Sequence, residues 1–119
     1  MLLVKKQFLD AIRSGAKTQT VRCWPFRRMR AGQRSYIPGA GYIDVTAVDE
    51  VSLDELTEED AIRDGFASLA ELRSALQEIY SDAEQAQQTY RVRFRLLDEQ
   101  EQAVAKAERQ RRKTAAQGR

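Results

Sequence analysis

Short stretches of β-branched residues, or of alternating apolar and polar residues, predict β-strands along the chain. They cover residues 2–5, 18–23, 34–37, 42–51 and 89–97. The last stretch is the clearest, because apolar side chains occupy one face and arginines the other: Tyr90, Val92, Phe94 and Leu96 against Arg91, Arg93 and Arg95. Strict alternation in residues 42–51 places Ile43, Val45 and Ala47 on one face and Val48 on the opposite face.

Three segments have the spacing and end signals of helices. Residues 7–14 carry apolar residues at helical intervals and stop at Gly15. The run from Thr57 to Asp60 is a capping box that opens a helix ending at Gly65, and Ser68 begins a third helix that reaches Tyr80. Many short strands and few helices in a short chain predict an α+β fold, a small closed or nearly closed β-barrel with peripheral helices.

The composition changes after residue 98. Alanine, glutamine and charged residues dominate from there on, and Val104 is the single large apolar residue. We therefore divide the chain into a folded domain, residues 1–98, and a basic tail, residues 99–119, that is helical or disordered and has no face to bury. Deletion of residues 103–119 is expected to leave thermal stability almost unchanged.

The chain of 119 residues has one cysteine, Cys23, and no histidine. The missing histidine excludes a Ser–His–Asp triad, a Cys–His pair and any histidine-ligated metal, so a catalytic base has to be Lys, Asp, Glu or Tyr. No metal or cofactor is predicted. A lone cysteine suits a reducing compartment, and neither a secretory signal nor an apolar run long enough to span a membrane is present, so a cytoplasmic location is expected.

The charges are segregated along the chain although the net charge is only +2. Residues 1–36 carry a net +8, residues 37–90 a net −11 and residues 91–119 a net +5. Separate basic and acidic faces steer an anionic partner to one side of a protein. The alternative interpretation is that the oppositely charged faces pair with each other or are solvated.

The candidate chemistry lies in the run from Gly15 to Arg22, which crosses from a helix end into a strand. Thr20 and Arg22 share one face of that strand, and Lys17 precedes it closely enough to bend back over it. A hydroxyl beside a lysine amine is a nucleophile–base arrangement that needs no histidine, provided that burial and positive charge lower the lysine pKa. The same residues also fit a surface lysine, a strand threonine and an ion-paired arginine.

The spacing Gly-x-Lys-x-x-x-x-Arg at Gly15, Lys17 and Arg22 resembles the signature of the ASCH domain family, whose fold is PUA-like. Further segments in the same order also resemble that family: residues 31–34, residues 56–80 and residues 90–96. The resemblance covers about residues 1–98. It implies a PUA-like barrel with peripheral helices, and the tail lies outside it.

Some small bacterial members of that family, which this chain resembles in length and in its Lys-Thr-x-Thr-x-Arg run, are amidohydrolases that remove the acyl group from N4-acetylcytidine and related nucleosides. Their lysine, threonine and glutamate correspond here to Lys17, Thr20 and Asp64, the last being one methylene shorter. Asp64 either reaches the site or caps a helix end, and Glu58 and Glu59 are competing acids. Replacement of Asp64 by glutamate is expected to retain or raise activity.

The resemblance implies that neutral Lys17 takes the proton of Thr20, which attacks the acyl carbonyl. Arg22 or a backbone N–H holds the oxyanion. Trp24 and Tyr36 are candidates for stacking on the pyrimidine, although aromatic residues of this kind also serve as core. The implied partner is a nucleoside substrate.

A second hypothesis is an RNA-binding module or a ribonuclease that uses the same pocket. A stretch without acids begins at Arg22 and continues into the loop after the motif strand. In it, Trp24 and Phe26 lie between Arg22 and four predicted nucleic-acid-binding residues, Arg27, Arg28, Arg30 and Arg34. Aromatic side chains stack on bases and arginines bind phosphates, so this composition fits single-stranded RNA. The alternative is a solvated loop whose aromatic residues anchor it to the core.

Overall fold

The structure, a computed structural model, describes residues 1–85 and 87–117. Its four strands are β1 (Gln19–Trp24), β2 (Arg34–Ile37), β3 (Gly41–Val51) and β4 (Gln88–Leu96). Its five α-helices are α1 (Leu9–Ser14), α2 (Glu58–Arg63), α3 (Leu69–Ile79), α4 (Asp82–Gln85) and α5 (Glu99–Gln117). Two 3₁₀ turns, Lys6–Phe8 and Leu53–Glu55, precede α1 and α2. Within the described ranges, no helix is long and apolar enough to cross a bilayer.

The strands form one antiparallel sheet in the order β1-β4-β3-β2, so the α+β class is confirmed. The predicted barrel is wrong, because the sheet does not close. Other parts of the chain bond to the backbone at or next to each edge strand. Beside β1, the Thr18 N–H donates to the Arg63 carbonyl at the end of α2 (2.9 Å), and at β2 the Leu2 N–H donates to the Tyr36 carbonyl (2.9 Å). Residues 2–5 make this contact without forming the predicted strand.

The predicted faces of β3 are wrong after Val45, because the strand contains a β-bulge. The register shifts between Val45 and Ala47, so the alternation reverses there. Val48 therefore joins Ile43 and Val45 in the main core, whereas Ala47 is only half-buried. On β4 the predicted faces are confirmed, since Tyr90, Val92 and Phe94 are buried in the same core.

A second apolar cluster joins α2 and α3 to β1. It contains Val21, Leu56, Ala61, Leu72 and Leu76. Both helices begin as the sequence predicts: the Thr57 hydroxyl accepts from the Asp60 N–H, and the Ser68 hydroxyl accepts from the Glu71 N–H. The cluster holds the end of α2 beside the start of β1, where the candidate residues lie.

The segment predicted as a tail forms α5 and contacts the sheet. The Gln102 side-chain amide donates to the Tyr42 carbonyl (2.9 Å) and accepts from the Tyr42 N–H (2.8 Å). Ala105 is 3% exposed, so the expectation that this segment buries nothing is wrong at its first turns. Residues 118 and 119 of the predicted tail lie outside the described residues.

Candidate active site

Four candidate residues line one small cavity of about 140 Å³. Lys17, Thr20, Arg22 and Asp64 meet there, between β1, the helices α2 and α3, and the N-terminal segment 3–8. Phe8, Phe66 and Tyr80 supply its aromatic walls. The spacing of Lys17, Thr20 and Arg22 thus correctly indicated a shared cleft.

The turn between α1 and β1 places Lys17 inside the protein. Gly15 ends α1 in the left-handed conformation, at φ 84°, and the Lys17 N–H then donates to the Ala11 carbonyl (2.9 Å). The Lys17 side chain is only 3% exposed. Its Nζ donates to the Gln19 carbonyl (3.0 Å), to the Asp64 carbonyl and to Asp64 Oδ1 (2.5 Å).

Asp64 both ends α2 and reaches the lysine, so the two alternatives left open by the sequence are combined. It is the C-terminal cap of α2, and its carboxylate forms a buried ion pair with Lys17. The competing acids point elsewhere: Glu58 accepts from the Leu69 N–H (2.9 Å), and Glu59 pairs with Arg63 (2.6 Å). In the part of the chain that the structure describes, no cluster of three or more potential metal ligands occurs.

Burial opposes the charged form of both partners in the ion pair. It lowers the pKa of Lys17 below its ordinary value, although the Asp64 carboxylate acts in the opposite direction. Burial likewise raises the pKa of Asp64, against the effect of Lys17. The Val21 N–H also favours the charged carboxylate, but Oδ2 makes no hydrogen bond of ordinary geometry within the described residues. Both shifts favour transfer of a proton from Lys17 to Asp64.

The Thr20 hydroxyl is oriented by Arg22. Arg22 Nε donates to Thr20 Oγ1 (3.1 Å), and the same guanidinium donates to the Leu3 carbonyl (2.7 Å). Because Oγ1 accepts this bond, its own proton remains available to a base. Arg22 was predicted to hold an oxyanion. In the structure it contacts the oxygen of the candidate nucleophile, where its charge favours an alkoxide.

The aromatic walls of the cavity are not predicted by the sequence pattern. Phe8 and Phe66 pack edge to face, with ring centroids 5.2 Å apart, and Lys17 Nζ lies 4.8 Å from the centroid of the Phe8 ring. Phe8 belongs to residues 7–14, for which the sequence predicts a helix, and in the structure it ends the 3₁₀ turn before α1. Phe66 carried a usable signal, because it follows Asp64 and Gly65 directly in a turn that brings all three to the site.

The structure does not bring Trp24 and Tyr36 to this cavity. Trp24 is buried in the main core, where its ring lies 5.6 Å from that of Tyr90. Tyr36 lies near the opposite edge of the sheet, beside Tyr42 and α5. Neither residue is placed to stack on a substrate held by Lys17 and Thr20.

The arginines predicted to bind nucleic acid do not line the cavity either. Arg27 donates to the Val48 carbonyl (2.9 Å), and Arg28 stacks over the exposed ring of Phe26. Arg30 is exposed, and Arg34 forms an ion pair with Asp44 (3.0 Å). The arginines of β4 also have acidic partners: Asp49 and Asp60 for Arg91, Asp60 for Arg93, and Asp44 and Glu101 for Arg95.

Solved structures share this architecture. The hypothetical protein PH0355 aligns with a TM-score of 0.69 at 14% sequence identity, over 80% of this chain and 95% of its own. The ASCH domain from Lactobacillus crispatus JV V101 aligns with a TM-score of 0.64 at 16% identity, over 74% of this chain and 69% of its own. The chain has an ASCH-type fold. Protein EF3133 from Enterococcus faecalis V583, of the family DUF984, aligns at 0.60 with 18% identity, over 77% and 71%.

At sequence identities this low, the structural alignments establish the fold and nothing about activity. No family model matches the sequence, and no curated protein matches it. The ASCH-type, PUA-like fold implied by the motif at Gly15, Lys17 and Arg22 is supported by the solved structures.

Proposed function

We propose that the protein is an amidohydrolase that removes the acyl group from N4-acetylcytidine-type nucleosides. The observation that carries the proposal is one small cavity that is lined both by the buried pair of Lys17 and Asp64 and by Thr20, whose hydroxyl Arg22 orients. A structural ion pair needs neither an adjoining cavity nor an oriented hydroxyl. Together these features are those of a nucleophile with a histidine-free base.

Lys17 has to lose a proton before it acts as a base. In the ammonium form the nitrogen has no lone pair, and its three N–H groups donate to the Gln19 carbonyl, the Asp64 carbonyl and Asp64 Oδ1. Proton transfer to Asp64 leaves a neutral amine and a neutral carboxylic acid, the direction in which burial shifts both pKa values. In this proposal Asp64 therefore accepts the proton of Lys17 and holds it, and the neutral Lys17 amine is the general base.

The reaction proceeds in two halves through an ester on Thr20. Thr20 Oγ attacks the acyl carbonyl while its proton passes to Lys17, and the C–N bond then breaks as the exocyclic nitrogen takes that proton and leaves as the free amine. Water attacks the ester, again giving its proton to Lys17. Thr20 recovers a proton and the carboxylic acid departs, so the sum is hydrolysis of one amide by one water.

The size and walls of the cavity support a small planar substrate group. Its volume of about 140 Å³ is below the roughly 300 Å³ at which pockets for drug-sized ligands begin. The acyl amide and part of one ring therefore enter, and a ribose stays at the mouth. Phe8, Phe66 and Tyr80 supply apolar walls for a heterocycle, and Arg22 supplies positive charge beside the attacking oxygen.

Chromatography of cytidine and acetate released from N4-acetylcytidine tests the proposal. Thr20→Val keeps the shape of the side chain and removes the hydroxyl, so kcat should fall by about 1,000-fold or more, whereas Thr20→Ser should retain much of it. Thr46→Val, at an exposed threonine of β3 outside the cavity, is the matched control. Release of no cytidine by the wild type, or equal rates for Thr20→Val and the control, would refute the proposal.

A further inference from the structure

A second concave region lies between the β2–β3 hairpin and α5, near the opposite edge of the sheet from Lys17. Two adjoining clefts, of about 340 and 480 Å³, share Tyr36, Tyr42 and Arg109 in their walls. We propose that this region binds a single-stranded nucleic acid. The proposal goes beyond hydrolysis at Thr20 and does not depend on it.

The tyrosines form a stacking surface. Tyr36 and Tyr42 are partners in the register of β2 and β3, and their ring centroids lie 5.0 Å apart at an interplanar angle of 58°. The guanidinium of Arg109 lies 5.9 Å from the centroid of the Tyr36 ring. Aromatic rings beside an arginine are the means by which single-stranded nucleic acids are held, because every base has a face to stack.

Helix α5 adds a row of cations to the tyrosines. Arg109 lies three residues after Lys106 and is followed by Arg112 and Lys113 at three and four residues, so all four lie on the side of the helix that lines the clefts. Among the described residues, none of these four has an acidic partner within 4.0 Å. The arginines of β4, in contrast, are paired with acids.

The acidic content of the clefts is low. Glu108 is the single acid among their described lining residues, and it lies 3.9 Å from Arg34. Ser35 also lines the smaller cleft, and its buried hydroxyl has no hydrogen-bond partner in the described part of the chain. Unpaired cations beside paired aromatics match phosphates and bases together, whereas an acidic peptide would use the cations alone.

Fluorescence anisotropy with a labelled ten-nucleotide oligouridine RNA measures the binding. Arg109→Ala should weaken binding about tenfold and reduce the slope of log K against log salt by about 0.7, the value for one phosphate contact on a single strand. Arg111→Ala is the matched control, because Arg111 is an exposed arginine of the same helix that lines neither cleft. It should change affinity less than twofold. Equal losses in the two variants would mean that binding follows net charge, and would overturn the proposal.

Substitution of Tyr36 tests the stacking. Tyr36→Phe keeps the ring and should bind as the wild type does, whereas Tyr36→Leu should lose about tenfold in affinity for the oligouridine. An abasic oligonucleotide of the same length should bind the wild type more weakly and should not distinguish the two variants. Competition by polyglutamate as strong as that by RNA of equal charge would contradict the proposal. Circular dichroism of each variant verifies that α5 stays helical.

Discussion

Asp64 Oδ1 lies 2.5 Å from Lys17 Nζ, and neither side chain is more than 5% exposed. The pair joins the end of α2 to the turn before β1, so a single contact serves both packing and chemistry. Its cost is desolvation of two charges, which is why the two pKa values shift toward the neutral forms. Predictions for activity, stability and pH response follow from this relationship.

Asp64→Asn should reduce hydrolysis of N4-acetylcytidine by about 100-fold or more, since an amide cannot hold the proton of Lys17. Asp10→Asn, at an exposed acid of α1, is the control and should leave kcat unchanged. The measurement is kcat at saturating substrate. Full activity of Asp64→Asn would remove the carboxylate from the mechanism.

Asp64→Glu should be less stable than the wild type by about 1–3 kcal/mol and less active, because the contact with Lys17 is already made and the extra methylene has to be packed. A Cβ built on the neighbouring Gly65 would meet Phe8 Cδ1 at 3.3 Å and Lys17 Cδ at 3.5 Å, which shows how closely this turn is packed. This expected outcome is opposite to the prediction from the sequence, in which glutamate retains or raises activity. Urea titration and kcat together test this.

Replacement of both charges should be tolerated better than replacement of one. Lys17→Met leaves a buried carboxyl without its partner and should cost about 3–5 kcal/mol, whereas Lys17→Met with Asp64→Leu removes both desolvation costs and should be neutral or stabilising. Urea unfolding of the single and double variants measures the difference. A double variant clearly less stable than the wild type would show that the pair contributes net stability and would contradict this prediction.

The free energy of unfolding should respond to pH in a direction that the two shifts determine. The folded pKa of Asp64 is raised, so between the ordinary aspartate pKa and this raised pKa the folded protein binds more protons than the unfolded protein. The free energy of unfolding therefore falls as the pH rises through this range. Because the folded pKa of Lys17 is lowered, stability rises again as pH approaches the ordinary lysine value. The wild type should therefore show a minimum between the two windows relative to the double variant. Urea unfolding across a pH series measures the difference in the free energy of unfolding between the wild type and the double variant. A difference that does not change with pH would contradict this prediction.

Gln102→Ala should destabilise the protein by about 1–2 kcal/mol, because the side chain satisfies both the N–H and the carbonyl of Tyr42. Gln100→Ala, at an exposed glutamine of the same helix, should change stability by less than about 0.5 kcal/mol. Thermal unfolding followed by circular dichroism compares the two. Equal midpoints would mean that α5 is held by Ala105 and its neighbours alone.

Local sequence patterns predict most of the helices and strands, but they predict neither the bulge in β3 nor that the sheet stays open. Capping at Thr57 and Ser68, the strand at residues 34–37 and the two faces of β4 follow from short-range chemistry. The face of Val48 does not, because a bulge changes the alternation without leaving a mark in composition. Closure of a barrel depends on which distant groups meet the edge strands, and here the end of α2 and the N-terminal segment occupy those positions.

The part of the candidate site that is local in the sequence could likewise be predicted, and the part that depends on distant residues could not. Lys17, Thr20 and Arg22 lie within six residues, so the strand parity of Thr20 and Arg22 and the position of Lys17 just before the strand indicate a shared cleft. Asp64 is 47 residues from Lys17, and only the resemblance to a family singled it out among nearby acids. Trp24 illustrates the opposite error, since an aromatic beside a motif in the sequence is here packed on the core.

The amide of Gln102 completes the sheet as one more strand residue would. β4 ends at Leu96, and the Leu97 N–H still donates to the Tyr42 carbonyl (3.1 Å). From the first turns of α5, the Gln102 side chain then donates to the Tyr42 carbonyl and accepts from the Tyr42 N–H. Both backbone groups at this end of β3 are therefore hydrogen-bonded although β4 has already ended. β3 lies between β4 and β2, so these bonds satisfy backbone groups inside the sheet and not at one of its edge strands. The helix that carries the basic residues is therefore anchored through its first turns, which fixes the position of those residues relative to the sheet.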